Sequence, residues 1–579
     1  MTVAIDGRSL SPADVERVAR EGAAVTITDG AHERLERSRA RVETVLEGEE
    51  PVYGVNTGFG ELVDERIPGE DLEALQANLL RSHAAGGGGT LSREAVRAMM
   101  LTRANALACG HSGVRPVVVE TLATMLNEGV HPVVPSRGSL GASGDLAPLA
   151  HLSLVLIGEG FATVEPPGTG GFETAPAMGT DGAPTDDSGT RAHRDGETAL
   201  ATAGLEPLAL EAKEGLALIN GTQLTLGLAA LVVRDAERLV RAADAAGSLT
   251  IEVTMGTPAS AAAAIQSVRP HPGQADSAAA VRAMTANSAI VDAHRNCDRV
   301  QDAYSLRCIP QVHGAVRDAV SHLRSAVETE LNSATDNPLL FPAAEAPERA
   351  SGRGDAAVLS GGNFHGEPLA LRLEYLGMAL TELAAMAERR IDRLLNPNLQ
   401  EPHLPPFLAG EPGIESGFML VQYAAAAHLN EMRSLGGAAI DNVPVSGGQE
   451  DHVSMSAQSA LDARRRLGLA RRVLAGELLV GAEAAEYVGA ALAREDRAGT
   501  GEPASERTSA LVERAPDVDP GAALGDGSAW LYDRVREVVD PLATDRPVHP
   551  DVDALEAMLC QRQFHRELAQ RCRAGGTRE

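Results

Sequence analysis

The sequence predicts a mainly α protein: a long central helical bundle with a smaller mixed domain before it. Three observations carry that expectation. Apolar residues in the second half recur at steps of three and four over long runs, which stripes one face of a helix. Strand-like text is sparse. At 579 residues the chain is also long enough to bury a substantial core.

In chain order, TVAIDG at the start and PVYGV around residue 53 read as strands. Residues 165 to about 203 are rich in Gly, Thr, Pro and Asp and read as a loop or insertion. A proline-free segment runs from Leu208 to Thr257, and its glycines at 215, 221, 227 and 247 are expected to divide it, with LTIEVTMG as a possible strand at its end. A stripe through Val312, Val316, Val320, Leu323, Val327 and Leu331 ends at the turn Asp336-Asn337-Pro338. Residues 343 to 356 resemble the earlier loop. The longest stripe joins Leu369, Leu373, Leu376, Leu380, Leu383, Ala387, Ile391 and Leu394, opened by Pro368 and closed by Pro397. From Ser454 to about Glu495 an Ala, Leu and Arg rich run reads as one long helix or a pair, and residues 498 to 527 return to loop composition. Helices of this length bury their stripes by packing on one another, and the exposed remainder favours oligomers. The expected partition is 1–205, 206–495 and 496–579. No repeat of fixed period is present.

The net charge of −29 and a pI near 5.0 exclude a phosphate-neutralising nucleic-acid surface. Lys213 is the only lysine, and an acidic, lysine-poor surface suits a high-salt cytoplasm, where screening removes self-repulsion. Cys109, Cys297, Cys308, Cys560 and Cys572 are too scattered for a disulfide framework and form no C-x-x-C pair. MTVAIDGRSL lacks the basic start and apolar core of a signal peptide, and LTLGLAALVV is too short to span a bilayer. A cytoplasmic, membrane-free protein is expected.

Chemistry concentrates in Gly138 to His151, GSLGASGDLAPLAH. A serine nucleophile there would need a base, and the G-x-S-x-G elbow is absent. The residue types suit a different reaction. If the Gly144 nitrogen attacks the Ala142 carbonyl carbon, a five-membered ring closes, and loss of two waters leaves a methylene where the Ser143 side chain stood. Glycine's nitrogen approaches because no Cβ obstructs it, alanine crowds the carbonyl little, and serine supplies the hydroxyl that leaves.

This stretch resembles the signature of the aromatic amino acid ammonia-lyases, in which Ala-Ser-Gly cyclises to methylidene-imidazolone; the resemblance runs from about residue 3 to residue 490. It implies the ammonia-lyase/fumarase-like bundle, an autocatalytic cofactor from Ala142, Ser143 and Gly144 with no external cofactor or metal, and a homotetramer whose sites take residues from more than one subunit. YGVNTGFG resembles the loop carrying the catalytic tyrosine, here Tyr53. A free phenol has a pKa of about 10, so a base at this position needs stabilising positive charge. QANLLRSHAAG places His83 where the histidine-acting branch reads the substrate imidazole. LINGTQ supplies Asn220, an amide donor to cofactor or substrate. QDAYSLRCIPQVHG gives Gln301, Tyr304 and Arg307, which on a helix fall near one face; Arg307 is implied to clamp the substrate carboxylate by its fork. GGNFHG offers Phe364 for packing beside cofactor and substrate. SGGQEDHVSM gives Gln449 and Glu450, a glutamate typical of the histidine branch, with Asp451 as a dipole partner of the next helix.

The sixteen histidines include no H-E-x-x-H, and the glycine runs match no P-loop or dinucleotide fingerprint. The implied reaction is elimination of ammonia from L-histidine to trans-urocanate, the first step of histidine degradation. The electrophile would act either by taking up the amine or by attacking the imidazole ring. A phenylalanine or tyrosine ammonia-lyase or aminomutase is the nearest alternative, disfavoured because an apolar ring pocket would bury Glu450 unpartnered. A fumarase-type or silent helical bundle with an unmodified loop is the more distant one.

Overall fold

The computed structural model describes residues 2–58, 66–165, 193–294, 300–347, 350–440, 443–498 and 519–573. Phe59 and Gly60 of the YGVNTGFG loop, Cys297, and most of the loop-like stretches at 165–203 and 498–527 lie outside them. Helix dominates: twenty α-helices and ten short strands occur among the described residues.

The longest stripe forms helix Glu367–Leu395, and all eight of its named apolar positions are buried. The second forms helix Ile309–Glu330, with Val316, Val320, Leu323 and Val327 buried and Val312 partly so. The Ser454 run is a single helix, Ser456–Ala498. The glycines after Leu208 act differently from one another. Helix Glu214–Ile219 stops at Asn220-Gly221, whereas helix Gln223–Val253 continues through Gly227 and Gly247. A Cβ at Gly227 would lie 3.0 Å from the Ala98 side chain, and one at Gly247 would lie 2.7 Å from Ile309 Cδ1. These two glycines buy close packing and do not break the helix.

Two strand expectations fail. LTIEVTMG ends helix Gln223–Val253, where buried Thr250 returns its hydroxyl to the Ala246 carbonyl at 3.0 Å and so needs no sheet partner. PVYGV is a turn, with the Val52 amide donating to Asn56 Oδ1 at 2.6 Å. TVAIDG does contain a strand, Val3–Ile5, paired in parallel with Val25–Ile27.

The chain forms two compact units, each from three separate stretches. The first comprises Met1–Arg234, His322–Glu374 and Gly436–Arg464; the second comprises Asp235–Ser321, Tyr375–Leu435 and Arg465–Glu579. This division differs from the expected contiguous partition. Four boundaries fall within helices Gln223–Val253, Ile309–Glu330, Glu367–Leu395 and Ser456–Ala498, so each long helix contributes to both units.

All ten strands belong to the first unit, in two two-stranded and two three-stranded sheets. Val42, Val45, Val52, Val55, Leu72, Leu340 and Val358 form a core cluster there. Helix Arg93–Ala108 is buried along nearly its whole length. The second unit has its own cluster around Ile251, Val281, Leu306, Ile309 and Met386. It also buries the two-pronged pair Arg390–Glu477, at 2.5 and 2.8 Å. Among the described residues no helix is long and apolar enough to cross a membrane.

Candidate active site

The glycine-rich stretch is held at both ends. It leaves strand Pro135–Arg137 and enters helix Leu146–Leu156. On the near side, Leu140 O accepts from the Met455 amide at 2.7 Å, and Gly141 O accepts from the Gly366 amide at 3.1 Å and from Ser454 Oγ at 3.0 Å. On the far side, the Asp145 amide donates to Gly221 O at 2.6 Å. The Asp145 carboxylate, fully buried, accepts from Ser139 Oγ at 2.7 Å, the Thr225 amide at 2.9 Å and Thr225 Oγ1 at 3.2 Å. Burial nevertheless raises its pKa above the ordinary carboxylate value.

Between these anchors lies Ala142-Ser143-Gly144. Gly144 has φ +78° and lies edge to edge with Gly221, so that a Cβ on it would sit 2.2 Å from Gly221 O. Only glycine fits here, on both conformational and steric grounds. Asn220 takes extended geometry at the end of helix Glu214–Ile219, and its Nδ2 donates to Ser143 O at 2.8 Å. Its Oδ1 is buried without a partner. Ser143 Oγ donates to Glu450 Oε1 at 3.0 Å. Glu450 closes a tight turn in which the Val445 amide donates to its carbonyl at 3.0 Å.

Tyr53 sits half-buried in its turn, and its phenol is raised above the ordinary value, first by burial and then by the negative charge of Glu450. Within the first unit these two influences oppose the phenolate. His83 ends helix Leu72–His83 with Nδ1 at 2.9 Å from Leu79 O. A carbonyl can only accept, so that contact makes Nδ1 the protonated nitrogen and leaves Nε2 an acceptor when the ring is neutral. Phe364 is half-buried in the turn whose Gly366 amide reaches Gly141. Gln449, next to Glu450, is exposed. All of these residues belong to the first unit.

Gln301, Tyr304 and Arg307 belong to the second unit, and all three are exposed. The helix expected to carry them covers only Tyr304–Arg307. Gln301 precedes it because the next residue, Asp302, is held by the Thr257 amide at 2.8 Å and Ala303 is extended. Asp451 is a further correction. The next helix begins at Ser456, leaving Asp451 outside its first turn. Lys213 is buried, with Nζ 3.0 Å from Asp336 Oδ2, which leaves it committed to an ion pair.

Several anchors of the loop carry no functional signal of their own in the sequence: Gly221, Thr225, Gly366, Ser454 and Ser456, whose Oγ lies 2.9 Å from Thr225 Oγ1. Gly221 alone had a local structural signal, the Asn-Gly break in LINGTQ. The other four act through chain-distant contacts that no spacing encodes.

The aromatic amino acid lyase family model matches residues 10–514. The chain belongs to the aromatic amino acid lyase family. A probable histidine ammonia-lyase of Halobacterium salinarum is 56% identical over 96% of this chain and 95% of its own length. Among solved structures, histidine ammonia-lyase from Trypanosoma cruzi matches with a TM-score of 0.80 and 34% identity, covering 99% of this chain and 96% of that one. A tyrosine aminomutase from Streptomyces globisporus matches with a TM-score of 0.82 and 36% identity, covering 98% and 99%. This lyase therefore shares its mainly α fold with members that carry out different reactions, and the fold by itself does not select the substrate. The chain is a carbon-nitrogen lyase.

Proposed function

We propose that this lyase removes ammonia from L-histidine to give trans-urocanate, using methylidene-imidazolone formed from Ala142-Ser143-Gly144. The observation that carries the reading is the Ser143 Oγ to Glu450 Oε1 hydrogen bond at 3.0 Å, which sets an acidic group against the reacting tripeptide. The tripeptide also fits the cofactor. Gly144 presses where a Cβ cannot go, and Asn220 donates to Ser143 O, the oxygen that survives ring closure as a carbonyl. Once formed, the group supplies an electron-poor alkene that no unmodified side chain provides.

The remaining steps belong to the chain's own residues. His83 Nε2 accepts from the imidazole N–H of the substrate, and Glu450 faces the same ring. Arg307 grips the carboxylate in a bidentate fork. Tyr53 removes the β-proton, and the positive charge its phenolate needs comes from the substrate ammonium and the Arg307 guanidinium. Tyr304, Asn220, Gln301 and Phe364 support the cofactor and close the pocket, and Gln449 contributes to substrate binding. The protein is a cytoplasmic homotetramer in which Gln301, Tyr304 and Arg307 complete a neighbouring subunit's site. Exposed Tyr375, Met378, Leu420 and Tyr423 in the second unit are apolar surface for such contacts. The acidic, lysine-poor composition fits a high-salt cell.

Appearance of urocanate absorbance from histidine, in high salt beside phenylalanine and tyrosine, tests the substrate. Turnover of histidine alone is expected. Turnover of phenylalanine or tyrosine alone, or a β-amino acid product, would replace this reading with the ammonia-lyase or aminomutase alternative.

A further inference from the structure

Arg103 lies in the middle of buried helix Arg93–Ala108 and is itself fully buried. Its hydrogen bonds go to the segment that backs the tripeptide and not to the tripeptide itself. Its Nη1 donates to Ala217 O at 2.8 Å, and its Nη2 donates to Asn220 O at 2.8 Å and to the Gln223 side-chain oxygen. Gln223 in turn donates from Nε2 to Thr335 Oγ1 at 2.6 Å. One guanidinium thus spans the break between helices Glu214–Ile219 and Gln223–Val253, the break that contains Gly221.

That break is the surface Gly144 rests on. Gly221 O accepts the Asp145 amide at 2.6 Å, and a Cβ on Gly221 would come within 2.4 Å of Arg103 Nη2. The guanidinium, Gly221 and Gly144 are therefore stacked with no room between them. We propose that Arg103 is a positioning residue for cofactor formation: it holds the Asn220-Gly221 segment rigidly against Gly144, so that the Gly144 nitrogen is kept at the Ala142 carbonyl carbon. This rests on the reading of the tripeptide as a cofactor precursor.

Ring closure forms one bond, from Gly144 N to Ala142 C. The Ala142 oxygen then leaves as water with the amide hydrogens of Gly144 and Ser143, and the second water takes the Ser143 hydroxyl and its Cα hydrogen. No oxidant or reductant enters. What the reaction needs is sustained proximity, and restraining two reacting groups this way replaces a rare encounter in a mobile loop by a standing one. Burial draws the Arg103 pKa down to about 10, which leaves it a cation at neutral pH. A lysine in its place keeps the charge but loses the planar fork that reaches three acceptors at once.

The test is the intact mass of the folded, assembled fraction of wild type, Arg103→Lys and Arg103→Met, each checked by circular dichroism and size. Wild type is expected to be lighter than its sequence by two waters. Arg103→Met is expected to fold yet keep both waters in most chains, with at least a tenfold drop in the cyclised fraction, and Arg103→Lys is expected to fall between. Complete two-water loss in either folded variant overturns the proposal. Failure of both variants to fold also overturns it, because Arg103 is then a folding residue. An unshifted wild-type mass instead sinks the cofactor reading itself, which separates the two failures.

Discussion

Ser143 donates its hydroxyl to Glu450 and its carbonyl is held by Asn220; in the proposed cyclisation the first oxygen is discarded and the second is kept. Ser143→Ala is expected to lower histidine turnover by at least ~10³-fold, about 4 kcal/mol of barrier, with circular dichroism and oligomer size unchanged. Retained turnover would remove Ser143 from the chemistry. The Tyr53 phenol is raised by burial and by the charge of Glu450. In the proposed role of Tyr53 as base the phenolate is the active form, so rate should climb with pH through its pKa. Glu450→Gln removes one cause of the raise, so the rising limb of the pH profile should move to lower pH, even as the variant loses roughly 10- to 100-fold in kcat/KM from the lost charged contact. A limb that stays in place would separate Tyr53 from Glu450. At this scale residue type in the sequence singled out Ser143, Asn220 and Glu450, and the structure brings both Asn220 and Glu450 within hydrogen-bond reach of Ser143. The sequence was silent on Ser454, Ser456 and Thr225, whose hydroxyls matter only through where distant segments return.

Elements were legible where periodicity alone decides them. The stripe from Leu369 to Leu394 and the one ending at Leu331 became helices close to the expected bounds. Glycine was the weak point, since Gly221 ends a helix and Gly227 and Gly247 do not, and the difference lies in whether a neighbour needs the space. LTIEVTMG was misread for a related reason: its threonines satisfy their hydroxyls within a helix whose burial outweighs β-propensity. That same helix carries Glu252, fully buried, which receives the Gly525 amide at 2.6 Å. Burial raises its pKa to about 7 from 4.5, with hydrogen bonds from Ser288, Ser528 and Gly525 pulling the other way. Between pH 4.5 and 7 the folded protein holds a proton the unfolded chain has lost, so stability from this group falls as pH rises through that window. Glu252→Gln, an analogue of the protonated acid, should match wild type near pH 5 and be more stable by up to about 3 kcal/mol at pH 8, read from denaturant midpoints. Equal midpoints at both pH values would show that Glu252 does not titrate there.

On the scale of the whole molecule, mainly α architecture was readable because long stripes have few ways to be buried. Its partition was not, because four helices each serve both compact units and no composition change marks a boundary inside a helix. Net charge acts at this scale too. With −29 charges, raising salt from 0.1 M to 1 M shortens screening from about 10 Å to about 3 Å and should raise the melting temperature, whereas a fall would contradict the high-salt reading. The most direct measurement is the mass of the peptide containing residues 142–144, taken from protein that is turning over histidine. The account predicts a peptide lighter by two waters, with the loss localised to Ala142-Ser143-Gly144. An unmodified mass in active protein would contradict it.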